Sequence, residues 1–340
     1  MHLPLRLIFC RRCLNFINVR AAYASKIQAP PAKNPLANSG TTRFREHINA
    51  RKALRRGSHC GKMMRGRQKG TEIMSEETMK NRELLYSGLP SEEAADQSLG
   101  KPQPSFTAKH GEHPVIALPK EQLEDVVCCN DFYRILTDRK SSRLYETDPL
   151  SLKELSYLLW MTQGVKEVTG VAHKVTLRNV PSAGCRHALE TYLFVNRVEE
   201  LMPGCYHYLP ETHELELISA DTDHRQTPAV SAAFNGQTFF GASAVAFVWT
   251  AVPYRMEWRF GSRAEKLILL DAGHVCQNLY LAAGSIGCGI SANAAYLQDA
   301  ADALLHLIET RDNEQEAEMV IYAASVGKKE PAKQPETDGR

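Results

Sequence analysis

The alternation of hydrophobic and polar positions becomes regular only after residue 123. A Ser-x-x-Glu capping box at Ser151 precedes leucines at helical spacing, which predicts an amphipathic helix over 151–163. A continuous apolar run over 243–252 predicts a strand buried on both faces and central in its sheet. The long, mostly apolar stretch 265–286 predicts a buried helix. The other predicted elements are strands at 188–195, 204–209, 213–218 and 319–326, and a helix at 297–309.

This order of elements lacks a regular strand–helix–strand alternation, so it predicts an α+β fold. Five prolines between residues 86 and 120 indicate that 74–122 is an extended N-terminal arm or linker rather than a packed element. We therefore expect the main domain to cover 123–330, followed by a disordered tail over 331–340. The longest apolar run, 241–253, is shorter than the roughly 20 residues that a membrane span needs.

Charge divides the chain into two parts. The total of 41 basic and 39 acidic residues gives +2, but residues 1–73 hold 16 basic and two acidic residues, which gives +14. The remainder, with 25 basic and 37 acidic residues, carries −12. Such an asymmetry predicts a separate, disordered basic leader. Three interpretations stay open: a start codon set too far upstream, with Met74 or Met79 as the true start; a mitochondrial-type targeting segment; or a nucleic-acid arm.

The cysteines indicate the compartment of the protein, and the absence of common motifs excludes several classes of chemistry. Nine cysteines, two of them adjacent, do not form a disulfide framework and favour a reducing, cytoplasmic location, or a mitochondrial one if the leader is a real transit peptide. Neither a P-loop nor a zinc-protease motif occurs. The glycines of 287–292 follow a predicted helix, so they do not form a Rossmann fingerprint. A lone Cys-x-x-Cys in the leader does not predict a metal site.

Three stretches could bind a ligand. Arg139, Ser141 and Arg143 alternate, so an extended backbone would place two guanidinium groups and a hydroxyl on one face, as an anion site requires; a solvated basic patch is the alternative. The small residues of 180–184 would allow close approach of a ligand, or form an ordinary turn. A helix rich in small residues, 271–283, precedes a predicted Gly-rich loop at 287–295, where a flat ligand could lie; helix packing is the alternative.

Together these stretches resemble the nitroreductase superfamily and, within it, the SagB/ThcOx-like dehydrogenases. The resemblance covers roughly residues 130–328, and it rests on six motifs in register. These are Arg-x-Ser-x-Arg at 139–143, LLW-x-x-QG at 158–164, PSAG at 181–184, LETY at 189–192, PGCYHY at 203–208 and DAGHVCQNLYLAA at 271–283.

The resemblance implies a central, mostly antiparallel sheet flanked by helices, and an intertwined homodimer with FMN at the interface. Arg139, Ser141 and Arg143 would hold the phosphate, the ribityl chain and the N1/O2 edge, whereas the PSAG turn would contact the FMN of the other subunit. The full implied set of cofactor-binding residues is Arg139, Ser141, Arg143, Pro181, Ser182, Ala183, Gly184, Gly289, Asn293, Ala294 and Lys328, with Lys329 as a further candidate for the phosphate.

By the same resemblance, the chain is expected to be an FMN-dependent oxidoreductase that transfers hydride through flavin N5, with NAD(P)H as a candidate electron donor. A small molecule or a peptide would be the substrate, and neither nucleic acid nor membrane is an expected partner. A flavin protein of dehalogenase or flavin-destructase type, or a non-catalytic flavin-binding subunit, are the alternatives. No side chain stands out as a general acid or base; the weak candidates are Tyr206, Tyr208, His187 and Cys185, for which structural roles are favoured.

Overall fold

The structure is a computed structural model that describes residues 75–82, 85, 94–106 and 113–329. The predicted basic leader at 1–73, the proposed start at Met74 and the predicted tail at 331–340 lie outside these residues. Within the described part of the chain, no helix combines the length and apolar character that a bilayer span requires.

The described residues form a seven-stranded antiparallel sheet, a separate hairpin and eight α-helices. The sheet has the order β1-β6-β5-β4-β7-β9-β8, and every neighbouring pair is antiparallel, which confirms the predicted α+β class. The strands are β1 Val115–Ala117, β2 Val165–Thr169, β3 Val175–Arg178, β4 Leu189–Val195, β5 Gly204–Leu209, β6 Glu214–Ala220, β7 Val245–Ala251, β8 Cys288–Asn293 and β9 Met319–Lys328. The helices are α1 Glu76–Asn81, α2 Phe132–Thr137, α3 Leu152–Gln163, α4 Gln226–Ala233, α5 Thr238–Gly241, α6 Tyr254–Phe260, α7 Ala264–Ser285 and α8 Gln298–Leu304.

Two helical layers cover the sheet. Strand β7 pairs with β4 and β9 along its whole length and all seven of its residues are buried, as the continuous apolar run predicted. One face of the sheet packs against α3 and the 22-residue α7, whereas α4, α5 and α8 pack on the other. The sheet and α7 therefore form the rigid frame on which ligand-binding side chains can be held.

Local capping explains where α3 begins. The Ser151 hydroxyl accepts from the Glu154 backbone N–H at 3.2 Å, and the Glu154 carboxylate accepts from the Ser151 N–H at 2.9 Å. This reciprocal pair satisfies two backbone donors that a helix start leaves open. The predicted capping box and helix are confirmed.

Several local expectations were wrong. The stretch 287–295, predicted to be a Gly-rich loop, contains the edge strand β8. Helix α8 ends at Leu304 rather than at residue 309. The β2–β3 hairpin was not predicted, and the arm is not wholly unpacked because β1 pairs with β6.

Both outer edges of the main sheet present few unpaired backbone groups. At one end, β1 has only three residues. At the other, the Ser142 N–H donates to the Ile290 carbonyl at 2.8 Å, so the segment 139–143 covers the outer edge of β8. The Tyr280 hydroxyl of α7 accepts from the Ala292 N–H at 2.9 Å and satisfies a second group of this edge.

A cluster of buried ionisable groups lies inside the fold. Glu190 on β4 pairs with the Arg255 guanidinium and, at 3.0 Å, with His207 on β5, whose other ring nitrogen lies 3.6 Å from Glu216. Burial opposes ionisation of Glu190, but Arg255 and His207 outweigh it and lower its pKa to about 2. Burial likewise opposes charging of His207, but the two glutamates raise its pKa to about 9. Burial raises the pKa of nearby Glu318 to about 6.

Candidate functional site

A cleft with a volume of about 260 Å³ lies where the C-terminal end of α7 meets β8. Its wall carries four cationic side chains and one carboxylate: Arg134, Arg139, Lys140, Lys329 and Asp138. Arg134 and Asp138 pair with each other at 3.4 Å. Among the described residues, no carboxylate pairs with any of the other three cations. The cleft therefore holds an excess of positive charge suited to an anionic group such as phosphate.

Tyr280 connects the cleft to the edge of the sheet. Its hydroxyl lies 2.9 Å from the Ser141 hydroxyl, and it also accepts from the Ala292 N–H. The Arg139 guanidinium lies 5.4 Å from the centre of the Tyr280 ring, within the range of a cation–π contact. Tyr280 thus positions two of the three predicted residues of the 139–143 segment. No role was predicted for Tyr280 from the sequence, although it lies inside the DAGHVCQNLYLAA motif.

The third residue of that segment, Arg143, points elsewhere. Its guanidinium lies 5.6 Å from the centre of the Phe239 ring on α5. Nearby in the fold, the Asn293 side-chain oxygen accepts from the Ala295 N–H at 2.9 Å and from Gln237 at 3.3 Å. The segment therefore presents Arg139 to the cleft and Arg143 to α5.

Gly289 is required for close packing of the segment on the strand. A Cβ atom at this position would lie 3.0 Å from both the Cβ and the hydroxyl of Ser142, and 3.4 Å from the Lys329 Cβ. The two 3.0 Å spacings are tighter than ordinary van der Waals contact. A side chain at Gly289 would push the segment, and with it Arg139, away from β8.

The PSAG turn is held by the opposite half of α7. Gly184 adopts a φ of +57°, which only glycine adopts without strain. The Ala183 N–H donates to both Asp271 carboxylate oxygens at 3.2 and 3.3 Å, and the Ser182 hydroxyl accepts from the His187 N–H at 2.9 Å. Burial raises the pKa of Asp271, while the hydrogen bonds from the turn oppose this shift.

The turn and the cleft do not meet within one chain. Asp271, which holds the turn, and Tyr280, which holds the cleft, are nine residues apart on α7 (280 − 271), or about 13 Å along the helix axis. Of the predicted cofactor residues, Arg139 and Gly289 line the cleft and Ser141 adjoins it. The PSAG residues lie apart from it, and Ala294 is exposed beyond the end of β8.

The two lysines after the last strand differ in their surroundings. Lys328 forms an ion pair with Glu154 at the start of α3. Lys329 carries no such pair within the described residues and lines the cleft. Its position makes Lys329 the better candidate for an anion contact, and the role of Lys328 stays a prediction.

Three of the four weak catalytic candidates, Tyr206, Tyr208 and His187, form contacts in the interior, whereas Cys185 is half-buried. The Tyr206 hydroxyl donates to the Met202 carbonyl at 2.7 Å, and the Tyr208 hydroxyl lies 2.7 Å from a ring nitrogen of His213. His187 contacts the Thr176 carbonyl at 3.1 Å; burial, assisted by Arg178, lowers its pKa to about 3. These contacts fit the structural roles that were favoured.

No group of three or more His, Cys, Asp or Glu side chains among the described residues could hold a metal ion. The fold and the cleft define an α+β protein with a cationic cleft at one edge of an antiparallel sheet.

Comparison with known proteins identifies the family. The model of the nitroreductase family matches residues 136–328, so the chain belongs to this family. A protein of Methanocaldococcus jannaschii that bears the name nitroreductase is 32% identical over 164 residues, which cover 48% of this chain and 78% of that protein. A crystal structure named for a nitroreductase of Anabaena variabilis is similar in fold, with a TM-score of 0.52 at 22% identity. That match covers 69% of this chain but only 42% of the longer Anabaena variabilis chain.

Proposed function

We propose that the chain is an FMN-dependent oxidoreductase of the SagB-type dehydrogenase group. The observation that carries this proposal is the cationic cleft, in which Arg139, Lys140 and Lys329 have no described carboxylate partner. Membership of the nitroreductase family makes a flavin phosphate the most suitable anion for these three cations. The SagB-type assignment rests on the six sequence motifs in register.

The residues of the site fit the chemical groups of FMN. The cations of the cleft would bind the phosphate, and the paired hydroxyls of Ser141 and Tyr280 would bind polar groups of the ribityl chain. The bare backbone at Gly289 keeps Arg139 close to the strand. When bound, FMN would supply hydride transfer through its N5 atom, and the protein would contribute position and charge.

We propose that the working unit is a homodimer. Exposed residues of α7 recur on one stripe: Lys266, Leu269, Leu270, Gly273, His274 and Gln277. On α2 and just after it, Phe132, Tyr133, Leu136 and Leu144 are also exposed. Exposed large apolar side chains, here Leu269 and Leu270 on α7 together with those on and after α2, are typical of an interface between protein chains. In such a dimer the PSAG turn of one subunit would contact the FMN of its partner, which accounts for its distance from the cleft in its own chain.

The source of protons bears on the direction of the reaction. Tyr206, Tyr208 and His187 are held by interior contacts, so none is positioned to exchange protons with a substrate. Reduction of a nitro group or a quinone can take its protons from solvent, whereas oxidation of an azoline needs a base. We therefore propose a reductase reaction on a small molecule, with NAD(P)H as the electron donor, as the first activity to assay.

The cofactor proposal is tested by the colour of the protein and by one substitution. Arg139→Ala should weaken FMN binding by about 1.5–3 kcal/mol, which is about 10- to 150-fold, because a charge-assisted contact to phosphate is lost. Lys166→Ala on the exposed β2 strand is the matched control and should leave FMN affinity unchanged. Affinity is measured by quenching of flavin fluorescence. A wild-type protein that is colourless and takes up no FMN would refute the cofactor assignment.

The reaction is tested separately. Consumption of NADH or NADPH is followed with a nitroaromatic or a quinone as acceptor, and then with acceptor omitted. A yellow protein that oxidises neither nicotinamide would keep the cofactor proposal and reject the reductase activity. Oxidation of an azoline-containing peptide by the same protein would then support the dehydrogenase direction.

A further inference from the structure

A second group of cations lies beside the PSAG turn. Arg186 is the second residue after this turn, and Arg259 lies on α6. A Cβ atom at Gly184 would lie 2.8 Å from the Arg259 Nε atom, so the Arg259 side chain lies against the turn itself. Neither arginine lines the cationic cleft, so the phosphate site proposed there does not account for their charge.

Arg186 is a buried cation without a counterion. It is only 2% exposed, and its guanidinium lies 4.8 Å from the centre of the Trp258 ring. Its one hydrogen bond to the described residues runs from Nε to the Arg255 carbonyl at 3.0 Å, and its Nη2 atom is buried without an acceptor. A guanidinium carries five N–H donors, and a buried charge is normally paired with an opposite charge. The side chain therefore has unused capacity to bind an anion.

Arg259 places a second charge at the surface. Its side chain is exposed, and its guanidinium lies 5.7 Å from the centre of the Phe260 ring. Within the described part of the chain, no carboxylate forms an ion pair with it, and Glu190 pairs with Arg255 instead. Burial, assisted by Arg259 and Arg255, lowers the pKa of Arg186 to about 10, as expected where like charges lie close together. A bound anion would relieve this repulsion.

Trp258 holds the two arginines in place. Its Nε1–H donates to the Lys101 carbonyl of the N-terminal arm at 3.0 Å, and its own carbonyl accepts from the Gln97 N–H at 2.7 Å. The His173 ring of the β2–β3 hairpin lies edge-on to the Trp258 ring at 5.1 Å. Since Arg186 stacks on this ring, its guanidinium is positioned before any ligand arrives, which lowers the entropy cost of binding.

We propose that Arg186 and Arg259 form a binding site for an oxyanion, a carboxylate or a phosphate group, on the substrate that exchanges electrons with the flavin. The exposed Arg259 would contact the oxyanion, and Arg186 would supply fixed positive charge from the interior. The proposal rests on the proposed function, because the PSAG turn of one subunit would contact the FMN of its partner and so bring the pair beside the flavin.

The oxyanion has two chemical sources, which enzyme kinetics can separate. One source is a carboxylate on the electron acceptor, and the partly exposed Phe260 ring beside Arg259 suits a planar acceptor of this kind. The other source is the 2′-phosphate of NADPH, which NADH lacks. The assay therefore compares 4-nitrobenzoate with the neutral 4-nitrobenzamide as acceptors, and NADPH with NADH as donors, using the FMN-loaded protein.

Arg259→Ala should raise the KM of one charged substrate by at least about tenfold and leave kcat unchanged, because a charge-assisted contact made equally in the ground and transition states is lost. A change for 4-nitrobenzoate assigns the site to the acceptor, and a change for NADPH assigns it to the donor. The KM values of 4-nitrobenzamide and NADH should not change. Arg259→Lys keeps the charge and should restore part of the affinity. Arg225→Ala, which removes an exposed arginine at the start of α4 on the other face of the sheet, is the matched control.

Arg186→Met tests the buried member of the pair. The variant removes a buried charge that lacks a counterion, so the melting temperature of the ligand-free protein should not fall. The KM of the same charged substrate should nevertheless rise. A purely structural arginine would give the opposite result, a lower melting temperature with an unchanged KM, and that outcome would overturn the proposal.

Three further results would overturn the proposal: equal rises in KM for charged and neutral substrates, no rise in Arg259→Ala, or a weaker affinity of Arg259→Ala for FMN, which would assign the pair to the flavin. If the protein binds no FMN, the proposed function fails, and equilibrium dialysis still tests the site. The charged member of one substrate pair should then bind at least roughly tenfold more tightly than the neutral member. Arg259→Ala should lose this preference, whereas Arg139→Ala should retain it.

Discussion

The buried pair of Glu190 and Arg255 permits a quantitative prediction about stability. Glu190→Gln keeps the shape of the side chain but removes its charge, which leaves Arg255 and His207 without their main counterion. Glu190 is 2% exposed, so solvent cannot replace the lost interaction. Removing one partner of a buried ion pair costs about 3–5 kcal/mol. For a domain of this size, each kcal/mol lowers the melting temperature by roughly 2–4 °C, so we expect a fall of roughly 6–20 °C.

The dependence of stability on pH follows from the direction of each pKa shift. Glu190 has its pKa lowered from 4.5 to about 2, so its contribution is complete above pH 4.5 and is lost as the pH falls towards 2. His207 has its pKa raised from 6.5 to about 9, so its contribution is complete below pH 6.5 and is lost as the pH rises through 9. The pKa of Glu318 is raised from 4.5 to about 6, so its contribution to stability is also lost as the pH rises through 6. Glu190→Gln should therefore make the free energy of unfolding less dependent on pH at both the acidic and the alkaline end.

The assay is urea unfolding followed by circular dichroism at a series of pH values from 3 to 10, with FMN absent. Glu167→Gln on the exposed strand β2 is the matched control and should change the free energy of unfolding by less than about 0.5 kcal/mol. A loss below about 1 kcal/mol for Glu190→Gln, or an unchanged pH profile, would refute the reasoning. The double variant of Glu190→Gln with Arg255→Met should recover part of the loss, because the Arg255 charge is then no longer buried without its carboxylate.

Two further substitutions test the frame of the site. Tyr280→Phe removes the hydroxyl that contacts Ser141 and Ala292. The free energy of unfolding, measured in urea, should fall by about 2 kcal/mol because a backbone donor loses its partner. An unchanged free energy would show that water replaces the hydroxyl. Gly184→Val would place a Cβ atom 2.8 Å from the Arg259 side chain at a position where φ is +57°. FMN retention should therefore fall, while the far-ultraviolet circular dichroism is preserved. A variant that stays fully yellow would contradict close packing at this turn.

The elements predicted correctly from the sequence are those whose cause is local. The capping box at Ser151 satisfies its own helix, and the apolar run over 243–252 can be buried only as a central strand. Strand β8 was missed because its Gly, Ser and Ala residues have little preference for strands. Its conformation comes instead from pairing with β9 and from the segment that packs against it, and neither contact can be read from residues 288–293 alone.

Only part of the candidate site was predicted from the sequence, again because only local patterns can be recognised there. Arg139 and Ser141 were found because alternation on an extended segment is a local pattern. Tyr280 comes from a distant part of the chain, and only the meeting of α7 with β8 brings it beside Ser141. The preference for Lys329 over Lys328 depends on the ion pair of Lys328 with Glu154, a contact between residues 174 positions apart.

The covering of β8 by residues 139–143 links ligand binding to solubility. An uncovered strand at the edge of a sheet can pair with another molecule and start aggregation. The Ser142 N–H bond to Ile290 places the backbone of the cation-bearing segment along that edge. Mutations that shift this segment would therefore release a template for intermolecular pairing as well as weaken anion binding. The backbone of 139–143 thus protects the edge of the sheet, independently of any activity of its side chains.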